Sequence, residues 1–80
     1  MDNISQYRFL KDFGENLKVE LKDARETLEE LSEDTGISIA SLSRYINGHQ
    51  MPSLKEFINI MCALDLEPED LVDFSRRVVK

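Results

Sequence analysis

Between Thr27 and Pro52 the chain is punctuated so closely that only short helical elements fit. Thr27-x-x-Glu30 is a capping box, in which the Thr hydroxyl accepts from the third helical N–H and the Glu reaches back to the cap. Leu28 and Leu31 then supply one buried side. Gly36 ends the helix, because a left-handed residue after the last turn is cheap only without a Cβ. Ser38 can cap a second helix almost at once. That helix carries Ile39, Leu42, Tyr45 and Ile46, and Asn47-Gly48 ends it.

Two short helices joined by a turn of about three or four residues containing Gly form a helix-turn-helix, here over about 28–47. The string GIS-x-x-SLSRY-x-NG-x-x-x-P, with Leu31 and small Ser32 before it and Ser53-Leu54 after it, resembles the Cro and lambda-repressor (XRE-like) type of helix-turn-helix domain. The resemblance runs from about Phe13 to Val72. It implies an all-α fold, a compact lambda-repressor-like bundle of about five helices.

The net charge of −6, from 10 Lys+Arg against 16 Asp+Glu, taken alone argues against nucleic acid. Its distribution argues the other way. Met1 to Asp34 holds ten of the acids and Glu56 to Lys80 the other six. The 21 residues from Thr35 to Lys55 hold none and carry Arg44, His49 and Lys55. This window covers the turn, the second helix of the motif and the loop after it.

Outside the motif, Ile4, Tyr7, Leu10, Phe13, Leu17, Leu21 and Ala24 recur at helical steps and predict an amphipathic N-terminal helix or helix pair, capped by Asn3 or Ser5. Gly14 costs about 1 kcal/mol relative to Ala in a helix, so a kink or break is expected there. Residues 1–12 form an N-terminal extension to the family-like core at 13–72, expected to cover its own domain. Residues 73–80 complete the C-terminal end. After Pro52, Ser53 caps a further helix with Leu54, Phe57, Ile60, Met61 and Leu64 on its buried side, and Leu66 packs the turn. Pro68, with Glu69 and Asp70 in the first turn, opens a last helix. Its apolar residues are Leu71, Val72 and Phe74, with Val78 and Val79 beyond them, and Arg76, Arg77 and Lys80 lie at the end.

Eighty residues are expected to form one domain with no appended effector domain. A chain of this size buries only about 60% of its unfolded surface, which makes oligomerisation a natural supplement. A lone cysteine, Cys62, excludes an internal disulfide framework and suits a reducing cytoplasm; in an apolar helical run it is expected to be buried. No apolar run approaches the ~20 residues that span a bilayer. The inventory holds no nucleophile–base pair and no metal spacing, so neither enzyme chemistry nor a metal or other cofactor is expected.

The resemblance implies that the helix at about 39–46 enters the DNA major groove. Ile39, Ala40, Ser41, Ser43 and Arg44 are then the base-contact candidates. Arg44 alone among them can make a bidentate contact, preferentially to guanine. Ser38, Asn47, Gly48, Gln50 and Lys55 match positions that contact phosphate. The bland alternatives are a helix C-cap for Asn47-Gly48, and for Arg44 a solvated side chain or an ion pair with Glu30 or Glu33. Two departures from the family pattern stand out. The link Arg25-Glu26-Thr27 is about one residue short, so the first helix should run almost directly into the Thr27 cap. Leu28 stands where a phosphate-binding Gln is frequent.

Two functions follow. One is a sequence-specific DNA-binding transcriptional regulator of phage or bacterial repressor/Cro type, a homodimer on a palindromic double-stranded operator in the cytoplasm. The other is an acidic protein-interaction module on the same fold, an antitoxin or antirepressor-like protein partner. Net charge, apolar helix start and Leu28 favour the second, while the acid-free window favours the first.

Overall fold

A computed structural model describes residues 3–72, with side chains from residue 7 onward. The expectations for Phe74, Arg76, Arg77, Val78, Val79 and Lys80 lie outside the described residues, as do those for the side chains of Asn3, Ile4 and Ser5. The described residues form five α-helices and no strand: α1 (Asn3–Ala24), α2 (Leu28–Thr35), α3 (Ile39–Ile46), α4 (Leu54–Leu64) and α5 (Pro68–Leu71). The fold is the expected all-α bundle. α1 packs on α3, α4 and α5, while α2 packs on α3 and α4.

Leu17, Leu31, Leu42, Ile60 and Leu71, one from each helix, are fully buried at the centre. Phe13, Leu21, Ile37, Tyr45 and Val72 surround them. Burying a side chain of this kind contributes about 1.5–3 kcal/mol. Phe57 meets Phe13 with ring centroids 5.9 Å apart and tilted by 43°, within the range where aromatic pairs attract. Asn16 donates its side-chain N–H to the Leu71 carbonyl at 2.8 Å, tying α1 to the end of α5.

Local chemistry sets the helix ends. The Thr27 box forms, with Glu30 N–H donating to Thr27 Oγ1 at 3.1 Å and Thr27 N–H to Glu30 Oε1 at 2.9 Å. A second box forms at α4, where Ser53 Oγ accepts from Glu56 N–H at 3.2 Å and Ser53 N–H donates to Glu56 Oε1 at 3.4 Å. α1 does run nearly into the Thr27 cap. Arg25 takes a left-handed φ of 56°, while Arg25 N–H reaches the Lys22 carbonyl and Glu26 N–H the Leu21 carbonyl. This is a Schellman ending without glycine. Asp65, also at φ 56°, ends α4 the same way.

Four expectations need correction. α1 is continuous through Gly14, with no break. The glycine is there for proximity: a Cβ on Gly14 would fall 2.6 Å from the Tyr45 carbonyl oxygen and nearer still to that of Ile46. The buried stripe of α1 keeps the expected Phe13, Leu17 and Leu21 but differs at its ends, where Phe9 packs on the core while Tyr7 and Ala24 are exposed. Leu54, at the first position of α4, is 75% exposed instead of buried. Cys62 is exposed, because the buried side of α4 runs through Ile60 with Phe57, Met61 and Leu64 beside it.

Helix propensity alone predicts that Gly14→Ala stabilises α1 by about 1 kcal/mol. The approach of α3 reverses the sign, and a loss of about 2–3 kcal/mol is expected because the obstructing atoms are backbone. Gly36, at φ +77° with nothing near its missing Cβ, should lose only about 1–2 kcal/mol on Gly36→Ala, from the backbone conformation itself. Urea denaturation of both variants checks the sign of the first and the order of the two.

Candidate nucleic-acid interface

The turn between α2 and α3 is tied together by internal hydrogen bonds. Gly36 N–H donates to the Ser32 carbonyl at 2.8 Å. Ser32 Oγ donates across the turn to the Ile37 carbonyl at 2.5 Å, which is why a small hydroxyl residue suits that position. Thr35 Oγ1 donates to the Leu31 carbonyl at 2.7 Å and accepts from Ile37 N–H at 3.2 Å. Ser38 then caps α3, accepting from Ser41 N–H at 3.1 Å. With Ile37 buried beneath it, the turn fixes the direction in which α3 leaves.

α3 buries Leu42 and Tyr45 and turns the rest outward. Ile39 is 44% exposed, and Ala40 and Arg44 are exposed with it. The two serines are less free. Ser41 is half-buried and its hydroxyl receives that of Ser38 at 3.0 Å. Ser43, also half-buried, accepts from Asn47 Nδ2 at 3.3 Å. Arg44 is therefore the long donor on the outward face of α3. Glu30, one of its alternative partners, is engaged in the Thr27 box.

Among the phosphate candidates, Ser38, Asn47, Gln50 and Lys55 are exposed, while Gly48 is buried. The N–H groups of Asn47, Gly48 and His49 donate to the carbonyls of Ser43, Tyr45 and Arg44. Gly48, at φ +75°, serves as the left-handed residue that turns the chain after α3, and α1 lies over it. Leu28 is half-buried against the core, the filling role its apolar side chain suits.

Tyr45 Oη donates to Glu56 Oε1 at 2.5 Å. This bond joins α3 to the start of α4, and through it the first acid after the acid-free window points inward and is engaged. Burial, then the bond to Glu56, pushes the Tyr45 hydroxyl up to about 12. Sequence reasoning missed this link and the Ser53-x-x-Glu56 box, although that box carries the same signature as Thr27-x-x-Glu30. Other acids crowd elsewhere. Glu20 is held above the usual carboxylate range by burial, then by Asp70 and Asp23. Glu26 is likewise raised by burial, then by Asp34 and Glu30.

A helix-turn-helix family profile matches residues 21–71, more than half of the chain. The chain belongs to the helix-turn-helix family. This is a DNA-binding family of the Cro and lambda-repressor kind, not an enzyme family. The chain is also 33% identical over 70 residues to the replication factor C small subunit of Methanocaldococcus jannaschii. That match covers 88% of this chain and 4% of the relative, so it aligns a small piece of a much longer protein. Among the described residues no helix is long and apolar enough to cross a membrane, and no group of three His, Cys, Asp or Glu could hold a metal ion.

The raised hydroxyl of Tyr45 sets an alkaline limit. The stability it contributes is fully present below the ordinary tyrosine value near 10 and is lost as pH rises toward about 12, because the folded state then retains a proton the unfolded state has released. Urea midpoints at pH 9 and pH 11 should fall more steeply for the wild type than for Tyr45→Phe, which lacks the titrating group.

Proposed function

We propose that this protein is a sequence-specific transcriptional regulator of repressor or Cro type, binding a palindromic operator as a homodimer with α3 in the major groove. The observation that carries this reading is the pairing of an outward row, Ile39, Ala40 and Arg44, with a window free of acids from Thr35 to Lys55. A major-groove helix presents its first turn to base edges. Ile39 and Ala40 can meet thymine methyls, and Arg44 can grip guanine O6 and N7. Ser41 and Ser43 contribute shorter-range contacts once their intramolecular hydrogen bonds are exchanged. Ser38, Asn47, Gln50 and Lys55 hold the sugar–phosphate backbone, and Gly48 shapes the loop that presents Asn47 and Gln50. Two-fold symmetry then sets half-sites about one helical turn apart.

The competing reading, a protein-interaction module, draws on the net charge of −6 and on Leu28. It gives no role to the acid-free window.

Selection from a random duplex pool followed by fluorescence anisotropy at two salt concentrations tests the proposal. Enrichment of a palindrome is expected, with affinity falling steeply as salt rises. Arg44→Ala should lose about 1–3 kcal/mol per half-site on the selected palindrome and relax the preference at one base pair in each half. Absence of binding at low salt, with Arg44→Ala indistinguishable from wild type, would overturn the proposal.

A further inference from the structure

The loop after α3 has little backbone left to offer a phosphate. The N–H groups of Asn47, Gly48 and His49 are all consumed within the molecule. At the start of α2, the side chain of Leu28 supplies no polar atom. A phosphate running beside Gly48 and His49 finds their N–H groups already engaged, which leaves a role for side chains, and the structure brings one there from outside the motif.

That side chain is Lys11. The α1 backbone crosses directly over Gly48, where an added Cβ would lie 3.1 Å from Lys11 Cα and 3.2 Å from its Cγ. Gly48 is buried by this crossing, whereas Lys11 is exposed. Its Nζ stands 5.6 Å from the centroid of the exposed Tyr7 ring, near enough for the ring to steady the ammonium without replacing its hydrogen-bond partners. The lysine therefore has its stem at the loop and its charge at the surface, beside a window that contains no carboxylate.

We propose that Lys11 is a phosphate contact of the DNA interface, holding the backbone beside the loop from Gly48 to Gln50. The inference rests on the DNA-binding reading above and adds to it a residue from α1. A phosphate contact raises affinity on every sequence alike and carries no base preference. Each one neutralised contributes about −0.9 to the slope of log affinity against log salt.

The test is anisotropy of wild type, Lys11→Gln and Lys11→Arg on the selected duplex and on a random one, with a salt titration for each. Lys11→Gln removes one contact from each protomer of the dimer, so it should weaken both duplexes by the same factor and make the salt slope shallower by about 1.8, and a fourfold rise in salt then weakens it about 12-fold less than wild type. Lys11→Arg should restore the wild-type slope. Thermal melting in the absence of DNA accompanies each variant, and a stable Lys11→Gln protein with the wild-type slope overturns the assignment of Lys11 alone. Wild-type protein that binds neither duplex overturns the DNA reading and this proposal with it. If Lys11→Gln loses stability, Lys11→Met keeps the apolar stem over Gly48 and must reproduce the loss of slope, or the role of Lys11 is packing.

Discussion

The contact on which the arrangement depends is the approach of α1 to the end of α3 at Gly14. Carbonyl oxygens of Tyr45 and Ile46 occupy the space a Cβ would need. The gap holds a hydrogen and nothing larger, as in weak Cα–H···O contacts between helices. Because α1 continues unbroken there, Leu17 and Leu21 reach the core while Lys11 passes over Gly48. A helix broken at Gly14 would release both ends of that lever. The intrinsic penalty of a mid-helix glycine, about 1 kcal/mol, is the lesser of the two costs at this position.

A second constraint is polar. Between Leu31 and Leu42 the turn exchanges hydrogen bonds among Ser32, Thr35, Gly36, Ile37 and Ser38. Groups left unpaired in such a turn would each cost about 1–3 kcal/mol. The Tyr45–Glu56 bond extends the arrangement to α4. α3 is thus held at its start by the turn, along its length by Leu42, and at its end by α1 and Glu56. Preorganisation of this kind lowers the conformational cost of binding.

The features legible in the sequence are those whose physics is local. Caps at Thr27, Ser38 and Ser53 depend on side chains bonding backbone within a few residues, the stop at Gly36 and the start at Pro68 on the local backbone freedom or rigidity of one residue, and each is where the sequence pattern puts it. Apolar spacing was less reliable. It put Leu54 and Cys62 on the buried side of α4, because an apolar residue at helical spacing does not reveal whether a neighbouring helix covers it. Gly14 was unreadable for the same reason: its partner is α3, far along the chain. Arg25 and Asp65 take left-handed positions that carry no glycine to announce them. Of the candidate site, the start of α3 could be read from Ser38 onward, but the proximity of Lys11 on α1, and with it the contact proposed for it, appears only when the crossing over Gly48 is seen.

The sparseness of long donors on the outward face of α3 has a consequence for information. A base pair read without error divides the number of acceptable sites by about four, and a genome offers about 10⁶–10⁹ competitors. On the homodimeric reading proposed above, one arginine and two apolar residues per protomer would leave a half-site with few such divisions. A reader built this way gains most of its selectivity by multiplication, from two copies at a set separation and from the stiffness of base pairs it never touches. Its operators should tolerate changes at many individual letters while refusing a single inserted base pair between the halves.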